Sequence, residues 1–166
     1  MKTKIEAIAN VTVIVVALAL GCVVLNRYVA SSRVPHSIAA GDRLAKLPGL
    51  DWNQHRRTLV LVLNTGCHFC QDSIPFYQKL AQAQRPGKDV PEIVAVFPNE
   101  AEMVRQFTAH EGLTIQSVPE VPLEKLHVNG TPTLILVNRE GLVERSWIGV
   151  LTARQEMDLL KLASGS

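Results

Sequence analysis

The pattern of apolar and polar positions divides the chain in two. From Ala7 to Leu25, nineteen residues run with only Asn10 and Thr12 clearly polar. As a helix this run spans about 28 Å, against roughly 30 Å for the hydrocarbon core of a bilayer, so it predicts a membrane anchor over residues 1–25. A helix apolar on every side needs more surrounding protein than this chain supplies, which argues against a buried core helix. A cleaved signal peptide and a lipidated Cys22 are the rival readings. Against the first, Tyr28 is too large for the small-residue site that Tyr28-Val29-Ala30 would have to form. Against the second, Val23-Val24-Leu25 continues the apolar run where a lipidated chain turns polar. Residues 26–37, with Ser31, Ser32 and Pro35, read as a linker that reaches about 40 Å when extended.

Beyond it, short apolar blocks alternate with helical stretches. Thr58–Leu63 and Glu92–Phe97 are compact runs of the kind found in strands buried on both faces. Leu50-Asp51-Trp52 reads as part of an edge strand ahead of the first. A helical stretch then runs to about Gln84, with Pro75 predicted to kink it and Arg85-Pro86-Gly87 to end it. Asn99 with Glu102 reads as an N-cap pair for a helix that aligns Met103, Val104 and Phe107 and stops at Gly112. Leu113–Val118 alternates like a short strand and Pro119–Pro122 is a loop. Leu134–Val137 is a strand whose turn, Asn138–Gly141, leads to the hairpin partner Leu142–Ile148. Thr152 with Gln155 opens a last helix, with Met157, Leu160 and Leu162 set to dock on the sheet. This order predicts an α/β domain over residues 38–166, a central sheet with helices on both faces.

Composition narrows the function. Apolar residues make up 47% of the 166, enough for a real core. Residues 1–36 carry a formal charge of +3 and the remainder −1, giving the net +2. A near-neutral domain without basic runs argues against nucleic-acid binding. Lys2 and Lys4 on one flank of the apolar run balance Arg27 and Arg33 on the other, so the positive-inside rule barely discriminates. A short N-terminal tail before a large domain predicts a signal-anchor, tail inside and domain outside.

Three cysteines are too few for a disulfide-stapled scaffold, and Cys67 and Cys70 stand three residues apart. They sit at the junction of a buried strand and a helix. There, unpaired amides and the positive end of the helix dipole stabilise a thiolate, the species that attacks a disulfide. The spacing lets the second thiol resolve the mixed disulfide formed by the first. Zinc needs about four ligands, and His55, His110 and His127 are scattered without a second motif. A purely structural bridge would close too small a loop to constrain the unfolded chain. Copper(I) held by two thiolates, with His68 joining, is the rival of a different class, a binding module rather than an enzyme.

The chain resembles the thioredoxin superfamily, and more narrowly the membrane-tethered TlpA/ResA-like thiol–disulfide oxidoreductases of bacteria. Cys67-His68-Phe69-Cys70 after a buried strand, Pro75 in the following helix, and Gly130-Thr131-Pro132-Thr133-Leu134 before the terminal hairpin carry the likeness over residues 40–163. The helix and strand between Asn99 and Val118 resemble the insertion that marks this branch. The resemblance implies a thioredoxin-like fold with an N-terminal transmembrane helix and a cis bond before Pro132. It also implies that Thr131 and Pro132 bind an extended substrate segment beside Cys67. It further implies protein disulfide and dithiol substrates, no cofactor, an electron donor in the membrane, and a location in the bacterial inner membrane with the domain facing the periplasm or the cell exterior.

Departures from the family pattern bear on the site. Asn64-Thr65-Gly66 replaces the usual aromatics and Trp before the first cysteine, predicting an open rim. The position of thioredoxin's buried acid is Leu61, so proton transfer at Cys70 needs water or another group. His68 is placed to stabilise the Cys67 thiolate, and Phe69 to pack or join the rim. Trp52, Phe76, Tyr77 and Trp147 read as core or near-core. Arg56 and Arg57 read as a solvated turn, and Asp72 and Glu124 as helix-start or surface residues. Related redoxins are thiol peroxidases, which makes that activity a variant of the enzyme reading. Asn64 stands where a peroxidatic site places threonine.

Overall fold

The computed structural model describes residues 15–24, 37–85 and 89–165. It forms two compact units, residues 1–36 and 37–166. In the first, residues 15–24 are helical and exposed. Among the described residues no helix is long and apolar enough to cross a membrane. Of the predicted anchor over 7–25, residues 7–14 and 25 lie outside the described residues, as do residues 26–36 of the predicted linker.

The second unit is built on a five-stranded mixed sheet. Its strands are β1 (Arg57–Val62), β2 (Glu92–Val96), β3 (Gln116–Val118), β4 (Thr133–Asn138) and β5 (Val143–Ile148), in the order β3-β2-β1-β4-β5. β1, β2 and β3 run parallel, β4 is antiparallel to β1, and β5 to β4. The helices are α1 (His68–Asp72), α2 (Ile74–Ala83), α3 (Ala101–His110) and α4 (Ala153–Ser164).

Strand pleat sorts the core. Leu59, Leu61 and Leu63 point to one face with Ile93, Ala95, Phe97, Leu134 and Leu136. Val60 and Val62 point to the other with Val94, Val96, Ile135 and Val137. All five β1-region side chains are fully buried, the two-sided burial their unbroken apolar run predicts. The buried residues of all four α-helices lie on the first face: Cys70, Ile74, Phe76, Tyr77, Leu80, Val104, Leu159 and Ala163. The expected placement of helices on both faces is therefore corrected. From β1 to β2 to β3 the chain steps in one direction along the sheet, and right-handed crossovers put both connections on the same side. The other face is covered by Ile38, Leu44, Leu47 and Trp52 and by the 3-10 turn Leu123–Leu126.

Other local expectations also shift. Leu50-Asp51-Trp52 is not an edge strand. The Asp51 carboxylate accepts the Asn53 N–H at 3.1 Å and caps a 3-10 turn, Trp52–Gln54, that buries the indole. Pro75 does not bend one long helix. The helix breaks at Ser73, and Pro75 sits in the first turn of α2, where its missing N–H costs nothing. Only Gln116–Val118 of the predicted Leu113–Val118 strand pairs with β2, although Leu113 and Ile115 are buried in the core. Thr152 and Gln155 open α4 as predicted and do so as a capping box, but Leu159 and Ala163 are its buried residues, with Leu160 and Leu162 partly buried and Met157 56% exposed.

Candidate active site

β1 runs Arg57–Val62 and the chain leaves the sheet through Leu63. A tight loop, Asn64–Gly66, then turns it into α1. The loop is held by its own polar groups. Asn64 Oδ1 accepts the Gly66 N–H at 2.9 Å, and the Asn64 carbonyl accepts the Cys67 N–H at 3.1 Å. This delivers Cys67 to the N-cap position of α1, with an extended backbone. Its sulfur accepts the Cys70 N–H at 3.3 Å, so the free amides of the first helical turn point at Cys67 Sγ.

The cis-proline loop closes the site from the other side. The Thr131–Pro132 bond is cis. Cys67 Sγ donates to the Thr131 carbonyl at 3.2 Å, bringing residues 64 positions apart into contact. Pro132 is buried, and its carbonyl accepts the Gly149 N–H at 2.8 Å, tying the loop to the end of β5.

The two thiols have opposite environments. Partial burial pushes the Cys67 thiol up, but hydrogen bonds from the Cys70 and Thr131 side chains and from the Cys70 and Phe69 amides outweigh it, so its pKa lies below the ordinary value. Cys70 is fully buried. Burial first, then its hydrogen bond with Cys67, pushes its pKa up to about 12. One sulfur is therefore set to ionise and the other to keep its proton. This is the asymmetry a two-step exchange requires, with an attacking thiolate and a reserved resolving thiol.

His68 stands on the first turn of α1, 79% exposed, with its Nε2 3.2 Å from Asp72 Oδ2. Its other contact is with the Phe69 ring. Asp72 is the last residue of α1 rather than a helix start. Phe69 is 58% exposed and forms rim rather than core. Leu61 is fully buried in the cluster that holds Cys70 and itself supplies no carboxylate to the resolving sulfur. Tyr77, in that cluster and 1% exposed, is a buried phenol. Burial pushes its pKa well up, and both cysteines add to the effect.

In the structure Asn99 takes another role than the N-cap expected of it. It does not cap α3, whose N-cap is Glu100 without a side-chain cap bond. Its Oδ1 accepts the Thr65 N–H at 3.1 Å, in the loop before Cys67. An Asn three residues before a Glu at the head of a helix looks like a cap. Only the tertiary fold brings the competing donor within reach. Among the described residues no group of three or more His, Cys, Asp or Glu is arranged to hold a metal ion.

The sequence matches no family model and no curated protein. Solved structures do match. StoA from Bacillus subtilis aligns with a TM-score of 0.55 at 20% identity, over 76% of this chain and 97% of its own. A candidate thiol:disulfide interchange protein DsbE from Chlorobium tepidum aligns with a TM-score of 0.61 at 21% identity, over 78% and 100%. A thiol-disulfide isomerase from Corynebacterium glutamicum aligns with a TM-score of 0.58 at 14% identity, over 82% and 99%. The domain has a thioredoxin-like fold. Within it Cys67 and Cys70 occupy the strand-to-helix junction facing a cis-proline loop.

Proposed function

We propose that this protein is a membrane-tethered thiol–disulfide oxidoreductase that reduces disulfides in proteins outside the cytoplasm. The observation that carries the reading is Cys67 Sγ at the tip of α1, accepting the Cys70 N–H at 3.3 Å, beside a resolving thiol held protonated. The names of the solved proteins with this fold, among them an interchange protein and an isomerase, support it.

The Cys67 thiolate attacks one sulfur of the partner's disulfide, and the other leaves as a thiolate and takes up a proton. A mixed disulfide now joins Cys67 to the partner. Once the Cys67 charge is lost, Cys70 gives up its proton and attacks Cys67 Sγ. The partner's second sulfur leaves, and the domain keeps a Cys67–Cys70 disulfide while the partner gains two electrons and two protons. Thr131 and Pro132 bind the substrate backbone beside the reacting sulfurs, with the Thr131 carbonyl 3.2 Å from Cys67 Sγ as the contact point. His68, when protonated, adds positive charge near the thiolate.

Residues 7–25 anchor the chain once across the bacterial inner membrane, and the domain faces the periplasm or the cell exterior. Disulfides persist in such a compartment, so the oxidised domain needs electrons from a donor in the membrane. The full chain in mild detergent should reduce insulin disulfides, and Cys67→Ser should not. Loss of turnover in the wild type, or full turnover in Cys67→Ser, overturns the reading. A Cys67/Cys70 potential near thioredoxin's, about −270 mV, fits a reductant, and one near about −120 mV assigns an oxidant instead. Membranes stripped with alkaline carbonate should retain the full chain, and its release would remove the anchor.

A further inference from the structure

The loop before Cys67 is tied to the segment between β2 and α3, which the two-cysteine chemistry above does not use. Thr65 is the knot. Its N–H donates to Asn99 Oδ1 at 3.1 Å, a part-buried bond between residues 34 positions apart. Its hydroxyl faces Met103 Sδ at 3.8 Å, and its carbonyl accepts from Gln71 Nε2 at 3.2 Å. The Gln71 contact comes from α1 itself and the Met103 contact is weak and exposed. That leaves Asn99 as the strong external tie. Asn99 in turn is fixed from its own side, because its carbonyl accepts the Glu120 N–H at 3.0 Å.

We propose that Asn99 is a positioning residue for the attacking sulfur: by accepting the Thr65 N–H it fixes the loop that delivers Cys67 to the tip of α1. The chain of contacts is short. Asn99 holds Thr65, and Asn64, one residue before it, holds the Cys67 N–H through its carbonyl at 3.1 Å. The Cys67 sulfur must sit where the Cys70 N–H and the Thr131 loop both reach it, at 3.3 Å and 3.2 Å. An untied loop lets the sulfur leave that position, and hydrogen bonds of this kind weaken steeply with misalignment. The segment after β2 thus sets the reactivity of the cysteine after β1.

The inference rests on the reading of Cys67 as the attacking thiol, and the test separates the two. Iodoacetamide alkylation of Cys67 against pH is measured on the full chain in detergent, with Thr65 amide exchange as the second readout. Asn99→Ala should slow alkylation below neutral pH by about fivefold, the worth of one net hydrogen bond. It should move the profile toward that of an ordinary thiol and speed Thr65 exchange. Asn99→Asp keeps the acceptor and should keep the Thr65 protection. Unchanged alkylation and exchange in Asn99→Ala overturns the proposal, as does loss of Thr65 protection in Asn99→Asp. A fall in alkylation without a change in Thr65 exchange overturns it as well, because the effect then bypasses the bond. If the wild type fails to reduce insulin while these shifts appear, the oxidoreductase reading falls and the positioning role stands.

Discussion

The two faces of the sheet are equally dry and chemically unlike. β1 gives Leu59, Leu61 and Leu63 to one and Val60 and Val62 to the other, all fully buried. The valine face is closed by coil and 3-10 turns. Trp52 belongs to that closure, packed so closely on Gly141 that a Cβ there would lie 2.9 Å from the indole. The leucine face is closed by helices, and a helix brings an end with unpaired amides. Cys67 occupies that end and Cys70 lies one turn further in, under the sheet. Burial is common to both faces, and reactivity arises only where burial meets free N–H groups.

This contrast can be broken or sharpened experimentally. The largest effect belongs to the cysteines. Cys67→Ser should abolish exchange, whereas Cys70→Ser should accumulate a mixed disulfide with substrate, visible on non-reducing gels. A trapped Cys70 adduct in Cys67→Ser would reverse the roles.

On the leucine face, Leu61→Ala should cost about 2–5 kcal/mol of stability by urea denaturation. It should also lower the Cys70 pKa by opening space beside that thiol. On the valine face, Gly141→Ala should cost about 1–3 kcal/mol, since φ is +74° there and the added methyl meets Trp52. Cys67 alkylation should be unchanged in Gly141→Ala. A change would show that the faces are not independent.

Alkali should weaken the reduced protein more than the disulfide form. Unfolded, Cys70 returns to its ordinary pKa of 9.0, and folded it titrates at about 12. A raised pKa gives stability that is complete below about pH 9 and is lost as pH rises toward 12. Cys67 is shifted the other way, so its contribution is already complete above pH 9 and does not change across this window. Urea midpoints of the two forms between pH 9 and 11 should diverge, and parallel curves would remove the claim that Cys70 is strongly desolvated.

The smallest effect is expected from His68. Its ring is 79% exposed and faces Asp72, so His68→Ala should change Cys67 alkylation at neutral pH by about twofold. A tenfold fall would make it a principal support of the thiolate.

By itself the sequence determined the elements that depend on local pattern. The unbroken Leu-Val run could only be a strand buried on both faces, Thr152 with Gln155 wrote its own capping box, and Cys67-His68-Phe69-Cys70 between strand and helix announced a thiol pair. The spatial sorting came from tertiary structure. The handedness of two crossovers put α1, α2 and α3 on one face, and α4 packs there through Leu159 and Ala163, which no local period encodes. Asp51 and Ser73 chose turns over the strand and the bent helix expected of them, because side-chain and backbone partners close by outbid a pattern of a few residues. Asn99 became a tie to Thr65 rather than a cap because the fold carried a donor from 34 residues away to its side chain. The unequal acidity of the two cysteines was likewise decided in three dimensions. Spacing can place two sulfurs on one turn, but only packing buries Cys70 and leaves Cys67 among free amides.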